Sequence, residues 1–192
     1  MQYDAMNPTP LPEIAVIVEQ YRSFELRVGR LMQEICVPFC KGCRTPCCRV
    51  GICREAQESP FLQAVHGAIQ GFDVRHGYLG CNGCKLTTGR PPVCHAFVCN
   101  LIVSSQPSDW HRYAIDCLGN LVGFVGKKAC NGRHLVEALT DDDLRKVNIR
   151  QFGRQLEIAE TALPILEAFL NHGELDDHAI SVLALIRKCP SS

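Results

Sequence analysis

The sequence predicts a mostly α fold in which helices pack around an irregular, cysteine-rich loop region. Three observations predict it. Long stretches at 12–34 and 140–171 carry apolar residues at three- and four-residue steps, the period of one helix face. Between them, Cys36 to Cys99 holds ten of the 13 cysteines, with prolines and glycines that resist regular structure. Little of the chain alternates apolar and polar residues as a half-buried strand would.

A chain of 192 residues with 46% hydrophobic content suits one compact domain with a substantial core. Three regions are distinguished along it: an N-terminal lead-in and helix at 1–35, the cysteine region at 36–99, and a helical C-terminal region at 100–192. Twenty basic and 20 acidic side chains balance to zero, so the basic excess of a nucleic-acid binder is missing and no nucleic-acid partner is expected. The longest nearly apolar run, Ala179 to Ile186, is too short to span a bilayer. Met1 to Asn7 has neither a basic start nor an apolar stretch of the export type. A soluble, cytoplasmic protein without a membrane partner is expected.

The elements follow in order. Asn7-Pro8-Thr9-Pro10-Leu11-Pro12 is a stiff extended lead-in. A helix is predicted from about Pro12 to Glu34, with Ile14, Ile17, Val18, Tyr21, Phe24, Val28, Leu31 and Met32 as its buried stripe. Pro38 and Pro46 are expected to hold the first cysteines in a loop. Ser59-Pro60 reads as N-cap and first helical position of a helix carrying Phe61, Leu62, Val65 and Ile69 and ending near Gly71. Residues 108–128 read two ways: a short helix with Trp110, Ala114 and Cys117 inward, or a small β-hairpin turning at Gly119-Asn120. The run from Gly119 to Lys128 departs from a phosphate loop at its first glycine and at Lys128, so nucleotide binding is excluded.

Thr140 reads as the cap of the clearest helix, with Asp141 to Asp143 at its positive end. Leu144, Val147, Phe152, Leu156, Ala159, Leu163, Leu166 and Leu170 form its stripe. Pro164 is expected to kink or divide it, and Asn171-His172-Gly173 to stop it. Asp176 or Asp177 caps a last helix with Ile180, Leu183, Ala184 and Ile186 inward.

The cysteines carry the chemistry. The first group is Cys36, Cys40, Cys43, Cys47 and Cys48, followed by Cys53; the second is Cys81, Cys84, Cys94 and Cys99. Cys40-Lys41-Gly42-Cys43 and Cys81-Asn82-Gly83-Cys84 let two thiolates of one turn reach the same ion, and their glycines supply the backbone freedom such a turn needs. Buried structural cysteines have no reason to repeat at such gaps. Disulfides need an oxidising compartment, and an odd total of 13 would leave one thiol over. All ten are therefore candidate metal ligands, and the loops they occupy are expected to be stapled to the helices by metal. Cys117, Cys130 and Cys189 stand alone and read as dispensable for it. His66, His76 and His95 read as ordinary core, surface or hydrogen-bonding residues.

Ten thiolates exceed the four of one tetrahedral zinc. Two kinds of centre remain open: one or two closed zinc sites, or an iron–sulfur cluster held by four thiolates. The paired Cys47-Cys48 tilts the reading towards iron–sulfur. Cys36-x-x-x-Cys40-x-x-Cys43 also matches the three-cysteine motif of radical S-adenosylmethionine enzymes, but those build their cluster on a βα barrel, which this helical pattern does not predict.

Two pieces carry a resemblance: Cys40-x-x-Cys43-x-x-x-Cys47-Cys48, and Cys84-Lys-Leu-Thr-Thr-Gly-Arg90-Pro91-Pro-Val-Cys94-His-Ala-Phe97-Val-Cys99. Over residues 36–99 the chain resembles the CxxCxxCC cysteine-cluster family, the YkgJ-like zinc- or iron-chelating proteins. It departs from the family pattern in having three residues, not two, before the paired cysteines, and in placing His95 where arginine is usual. The resemblance implies that Cys40, Cys43, Cys47, Cys48, Cys84, Cys94 and Cys99 include the ligands, while Cys36, Cys53 and Cys81 rest on spacing alone. The family is similar to part of the flagellin lysine N-methylase, which is associated with an iron–sulfur cluster. That implies an alternative, an iron–sulfur-dependent enzyme modifying a protein or small molecule. A third reading is a structural zinc module whose long helices bind a protein partner. The sequence offers no glycine-rich cofactor loop, no His-Glu-x-x-His helix and no triad, so it names no catalytic residue or substrate.

Overall fold

The computed structural model describes residues 12–41, 48–67, 69–80 and 83–190. The fold is mostly α. In chain order its elements are α1 (Pro12–Cys40), α2 (Val50–Glu58), α3 (Pro60–His66), β1 (Leu79–Gly80), β2 (Gly83–Cys84), α4 (Pro92–Ala96), α5 (Asn100–Ser104), α6 (Asp109–Val125), a 3-10 turn (Leu135–Glu137), α7 (Asp141–Leu144), α8 (Ile149–His172) and α9 (Asp177–Ile186). Among the described residues no helix is long and apolar enough to cross a membrane.

α6 lies at the centre and packs against α1, α4, α8 and α9. Ala114, Cys117, Leu118, Leu121, Val122 and Val125 are all fully buried on it. The hairpin alternative at Gly119-Asn120 is thereby overturned: both residues lie inside a helix that Ser108 caps by accepting from the His111 amide. Gly119 is there because α4 crosses at that point; a Cβ would lie 2.8 Å from the His95 carbonyl oxygen and 3.2 Å from Ala96 Cα. A pair that locally favours a turn is held helical by packing on several sides. The small β element lies instead in the cysteine region, where β1 and β2 pair antiparallel with Leu79 opposite Cys84 and Gly80 opposite Gly83.

α1 buries the predicted stripe, with Ile14, Ile17, Val18, Tyr21, Phe24, Val28 and Met32 in the core and Leu31 packed at its edge. It runs six residues beyond Glu34, through Pro38, so Cys36 and Cys40 stand on its last turns and not in a loop. Pro38 lacks the N–H that would bond back to residue 34, but that loss is local. Ile35 and Cys36 continue the packed face, and the Lys41 amide closes the final turn on the Val37 carbonyl at 3.1 Å. Cys53 and Cys94 likewise stand on helices, α2 and α4. The cysteine region is thus more regular than its prolines suggested. Burial of Cys53 and Ala56 anchors α2, whose sequence carries no cap signal.

α3 starts as its sequence predicts, the Ser59 hydroxyl accepting from the Leu62 amide, but it ends at Gly67 in the left-handed conformation (φ +68°), and Ile69 is exposed. Thr140 does cap a helix: its hydroxyl accepts from the Asp143 amide at 3.1 Å. That helix, α7, spans only Asp141–Leu144. The chain is then pinned to the 129–130 segment, the Asn148 amide donating to the Ala129 carbonyl at 2.7 Å, and α8 restarts with the Asn148 side chain as its cap. α8 passes through Pro164 undivided and stops at Gly173 (φ +77°). Asp176 caps α9 by accepting from the Ala179 amide at 2.7 Å, and Leu183 is buried on it. Ala184, expected inward, is exposed, because α9 shows the core only the narrow face of Ala179, Val182, Leu183 and Ile186.

Candidate metal centre

Three segments far apart in sequence bring thiols into one neighbourhood. Cys53 is buried on α2, with Cys48 two residues before that helix begins. Gly77 presses against it: a Cβ at Gly77 would lie 2.6 Å from Cys53 Cβ and 2.7 Å from its sulfur, and the residue has φ +62°. Only glycine fits there. Cys84 ends β2, fixed by its pairing with Leu79 and by the Lys85 amide donating to the Tyr78 carbonyl at 2.8 Å. Cys94 sits in the short helix α4, which Pro91 and Pro92 start and the Phe97 amide closes on the Val93 carbonyl at 3.0 Å.

The electrostatics of Cys94 record this convergence. One edge of the residue is open to solvent, but protein surrounds most of its thiol. Burial pushes that thiol up to about 12; Cys53, Cys84 and Cys48 push the same way, while Arg90 opposes them. Tyr78, buried against Phe72 and His66, is raised by burial and then by Cys53 and Cys84. Cys48, Cys53, Cys84 and Cys94 therefore share one local field. Among the described residues, however, no group of three or more cysteine, histidine or carboxylate side chains stands close enough to hold a metal ion. The four sulfurs share a neighbourhood without being drawn to ligand distances.

Cys36, half-buried, and Cys40, exposed, lie at the end of α1, and Cys99 immediately precedes α5. Cys43, Cys47 and Cys81 lie outside the described residues. Cys117 and Cys130 are buried elsewhere. The Cys117 thiol is pushed up to about 12, by burial and then by Asp116 and Cys189, while its hydrogen bond with Tyr113 opposes the shift. Cys189 approaches the same Tyr113 hydroxyl at 3.5 Å. His66 has both ring nitrogens engaged, Nε2 with the Ala56 carbonyl at 3.1 Å and Nδ1 accepting from the Ile69 amide at 3.0 Å. His76 pairs with Asp73 at 2.9 Å on the surface.

His95 belongs to a buried network that the sequence did not announce. Glu25 of α1 is 0% exposed. One of its oxygens accepts from the Gly89 amide at 2.7 Å; the other accepts from the Arg90 amide and from His95 Nε2, each at 2.9 Å. Arg90 Nε donates to the Leu86 carbonyl at 2.7 Å, curling the same segment back on itself. The signal that could have found Glu25 is a lone carboxylate inside the apolar stripe, one turn after Tyr21 and three residues before Val28.

All four candidate donors, Cys48, Cys53, Cys84 and Cys94, are thiols, the ligand type that a soft metal takes, but among the described residues no three of them stand within reach of one ion. No family model, curated protein or solved structure matches this chain.

One consequence concerns protons. Cys94 is a neutral thiol at ordinary pH, and a metal binds thiolate. If Cys94 is a ligand, zinc added to metal-free protein will release protons, and apparent affinity will rise with pH across the neutral range. An indicator-dye titration in weak buffer measures both. Zinc uptake that releases no proton and does not vary with pH would show that Cys94 is not a ligand.

Proposed function

We propose that this chain is a cytoplasmic metal-binding protein that ligates an iron–sulfur cluster or zinc through clustered cysteine thiolates, and that it is a member of the YkgJ-like cysteine-cluster family. The observation that carries the proposal is the clustering of ten cysteines at short spacings between Cys36 and Cys99, of which Cys48, Cys53, Cys84 and Cys94 come near one another from three separate segments. Isolated buried cysteines would not be expected to gather across that much sequence. A reducing compartment would keep the thiols available.

In this reading Cys48, Cys53, Cys84 and Cys94 hold the metal, with Cys36, Cys40, Cys43, Cys47, Cys81 and Cys99 as the remaining candidate ligands. Bound zinc would supply a cross-link between segments, and an iron–sulfur cluster would supply one-electron redox capacity. The surrounding residues shape the place. Gly77 leaves room for Cys53, and Tyr78, backed by Phe72, lies near Cys53 and Cys84. Arg90 stabilises the Cys94 thiolate once it forms.

Anaerobic purification followed by elemental analysis tests the proposal. Iron with acid-labile sulfide in matching amount, and a brown colour, is the expected result for a cluster; zinc without sulfide is expected for closed thiolate sites. A chain carrying neither metal, and taking up neither on reconstitution, overturns the proposal.

A further inference from the structure

We infer that Glu25 is a positioning residue of the metal site, holding the 89–95 segment, and with it Cys94, through the Gly89 and Arg90 amides and His95. The inference rests on the metal-binding reading above. A buried carboxylate is costly unless its charge is compensated by hydrogen bonds. Glu25 takes all three of its bonds from one seven-residue stretch: the amides of Gly89 and Arg90 and the ring of His95. Next in that stretch are Pro91 and Pro92, which have no N–H to offer a helix or sheet. The segment's own main-chain bonds begin only with the Cys94 amide, which donates to the Pro91 carbonyl at 2.8 Å, so the Glu25 carboxylate holds the stretch before it.

Its neighbours make the grip directional. Gly89 (φ +69°) is pressed against α3, where a Cβ would lie 2.7 Å from the Leu62 carbonyl oxygen. On the other side Gly119 of α6 sits under the His95 carbonyl, where a Cβ would be 2.8 Å away. The His95 ring therefore points inward to α1, between two close backbone contacts. Consecutive side chains on a helix diverge by about 100°. With His95 fixed inward by its bond to Glu25, the adjacent Cys94 is set on a different side of α4. The same helix that carries Glu25 ends at Cys36 and Cys40, eleven and fifteen residues on. Glu25 thus ties the second cysteine group to the helix that bears the first.

The experiment compares wild type, Glu25→Gln, His95→Gln and Leu118→Ala as full-length chains. Leu118→Ala opens a cavity in α6 and serves as the control for lost stability alone. Metal-free protein is loaded with cobalt(II), and affinity and the thiolate-to-cobalt charge-transfer band are read; if the chain holds an iron–sulfur cluster, the midpoint potential replaces the band. Glu25→Gln is expected to weaken binding by roughly 10–100-fold, as loss of a ligand-orienting partner does, with a diminished band or shifted potential. His95→Gln should move the same readouts less, since both amide bonds to Glu25 remain, and it carries the test if Glu25→Gln does not fold. Leu118→Ala should melt earlier with an unchanged signature. Variants that match Leu118→Ala in affinity and signature would reduce Glu25 to a fold element and overturn the inference, leaving metal binding intact. A wild type that binds no cobalt, iron or zinc would sink the metal reading and this inference together.

Discussion

If the chain holds metal as proposed, replacing Cys84 or Cys94 by serine will strip most of it, while Cys189→Ser will keep it. A serine hydroxyl is a hard, weakly acidic donor and does not replace a thiolate on zinc or iron. Loss of a residue that merely orients a ligand costs about 10–100-fold in affinity, so loss of the ligand itself should cost at least that. Cys189 packs beside the Tyr113 hydroxyl and is not among the groups that act on Cys94. Cys53→Ser adds a sharper comparison. Spacing alone left Cys53 less certain than its neighbours, yet it is the first of the cysteines that raise the Cys94 thiol. It should lose metal as Cys84→Ser does. Metal per chain, measured after anaerobic purification, decides the matter; equal content in Cys84→Ser, Cys94→Ser and Cys189→Ser would show the site to be elsewhere.

Gly89→Ala should be among the most destabilising single-methyl additions in this protein. At φ +69° an L-residue costs about 1–2 kcal/mol. The added Cβ would also meet the Leu62 carbonyl oxygen at 2.7 Å, His66 Cβ at 2.8 Å and the His66 amide nitrogen at 2.9 Å. Two of these three are backbone atoms of α3, which cannot swing aside as a side-chain tip can. Overpacking of this kind costs about 1–3 kcal/mol, and any shift of the segment also strains the Gly89 amide bond to Glu25. A loss of roughly 3 kcal/mol, or about 6–12 °C in Tm for a chain this size, is expected by urea and thermal denaturation. Gly153→Ala gives the opposite sign. Gly153 lies inside α8 with nothing near its missing Cβ, so alanine should add about 0.5–1 kcal/mol. A Gly89→Ala protein as stable as wild type would mean that 89–95 is not held against α3 as described.

Much of the fold was legible because helix stripes and caps are local signals. The α1 stripe, the Ser59 cap, the Gly173 stop and the Asp176 cap follow from residues within a few positions of one another. The errors share a cause as well. Pro38 read as a breaker, and Gly119-Asn120 as a turn in one of two readings, because their local preference is to leave a helix; Pro164 read as a kink or a division for the same reason, and the division is what the structure overturns. In each case burial of the surrounding face outweighs one lost hydrogen bond or one glycine's entropy. The break at 145–148 went unseen because its cause, the bond from the Asn148 amide to the Ala129 carbonyl, lies nineteen residues away.

The cysteine spacings by themselves picked out the ten candidate ligands and the expectation of a soft metal, since proximity along the chain is what spacing measures. Which of those cysteines meet was decided only by tertiary structure. Cys94 lies near Cys53 of α2 and Cys84 of β2, and the 89–95 segment that carries it is pressed against α3 at Gly89 and against α6 at His95. Glu25 belongs wholly to that second category. A single acid in an apolar stripe signals a buried partner but cannot name it, and its three donors lie 64 to 70 residues further along the chain. Only burial, which makes an uncompensated carboxylate intolerable, turns it into the group that holds the site's second half in place.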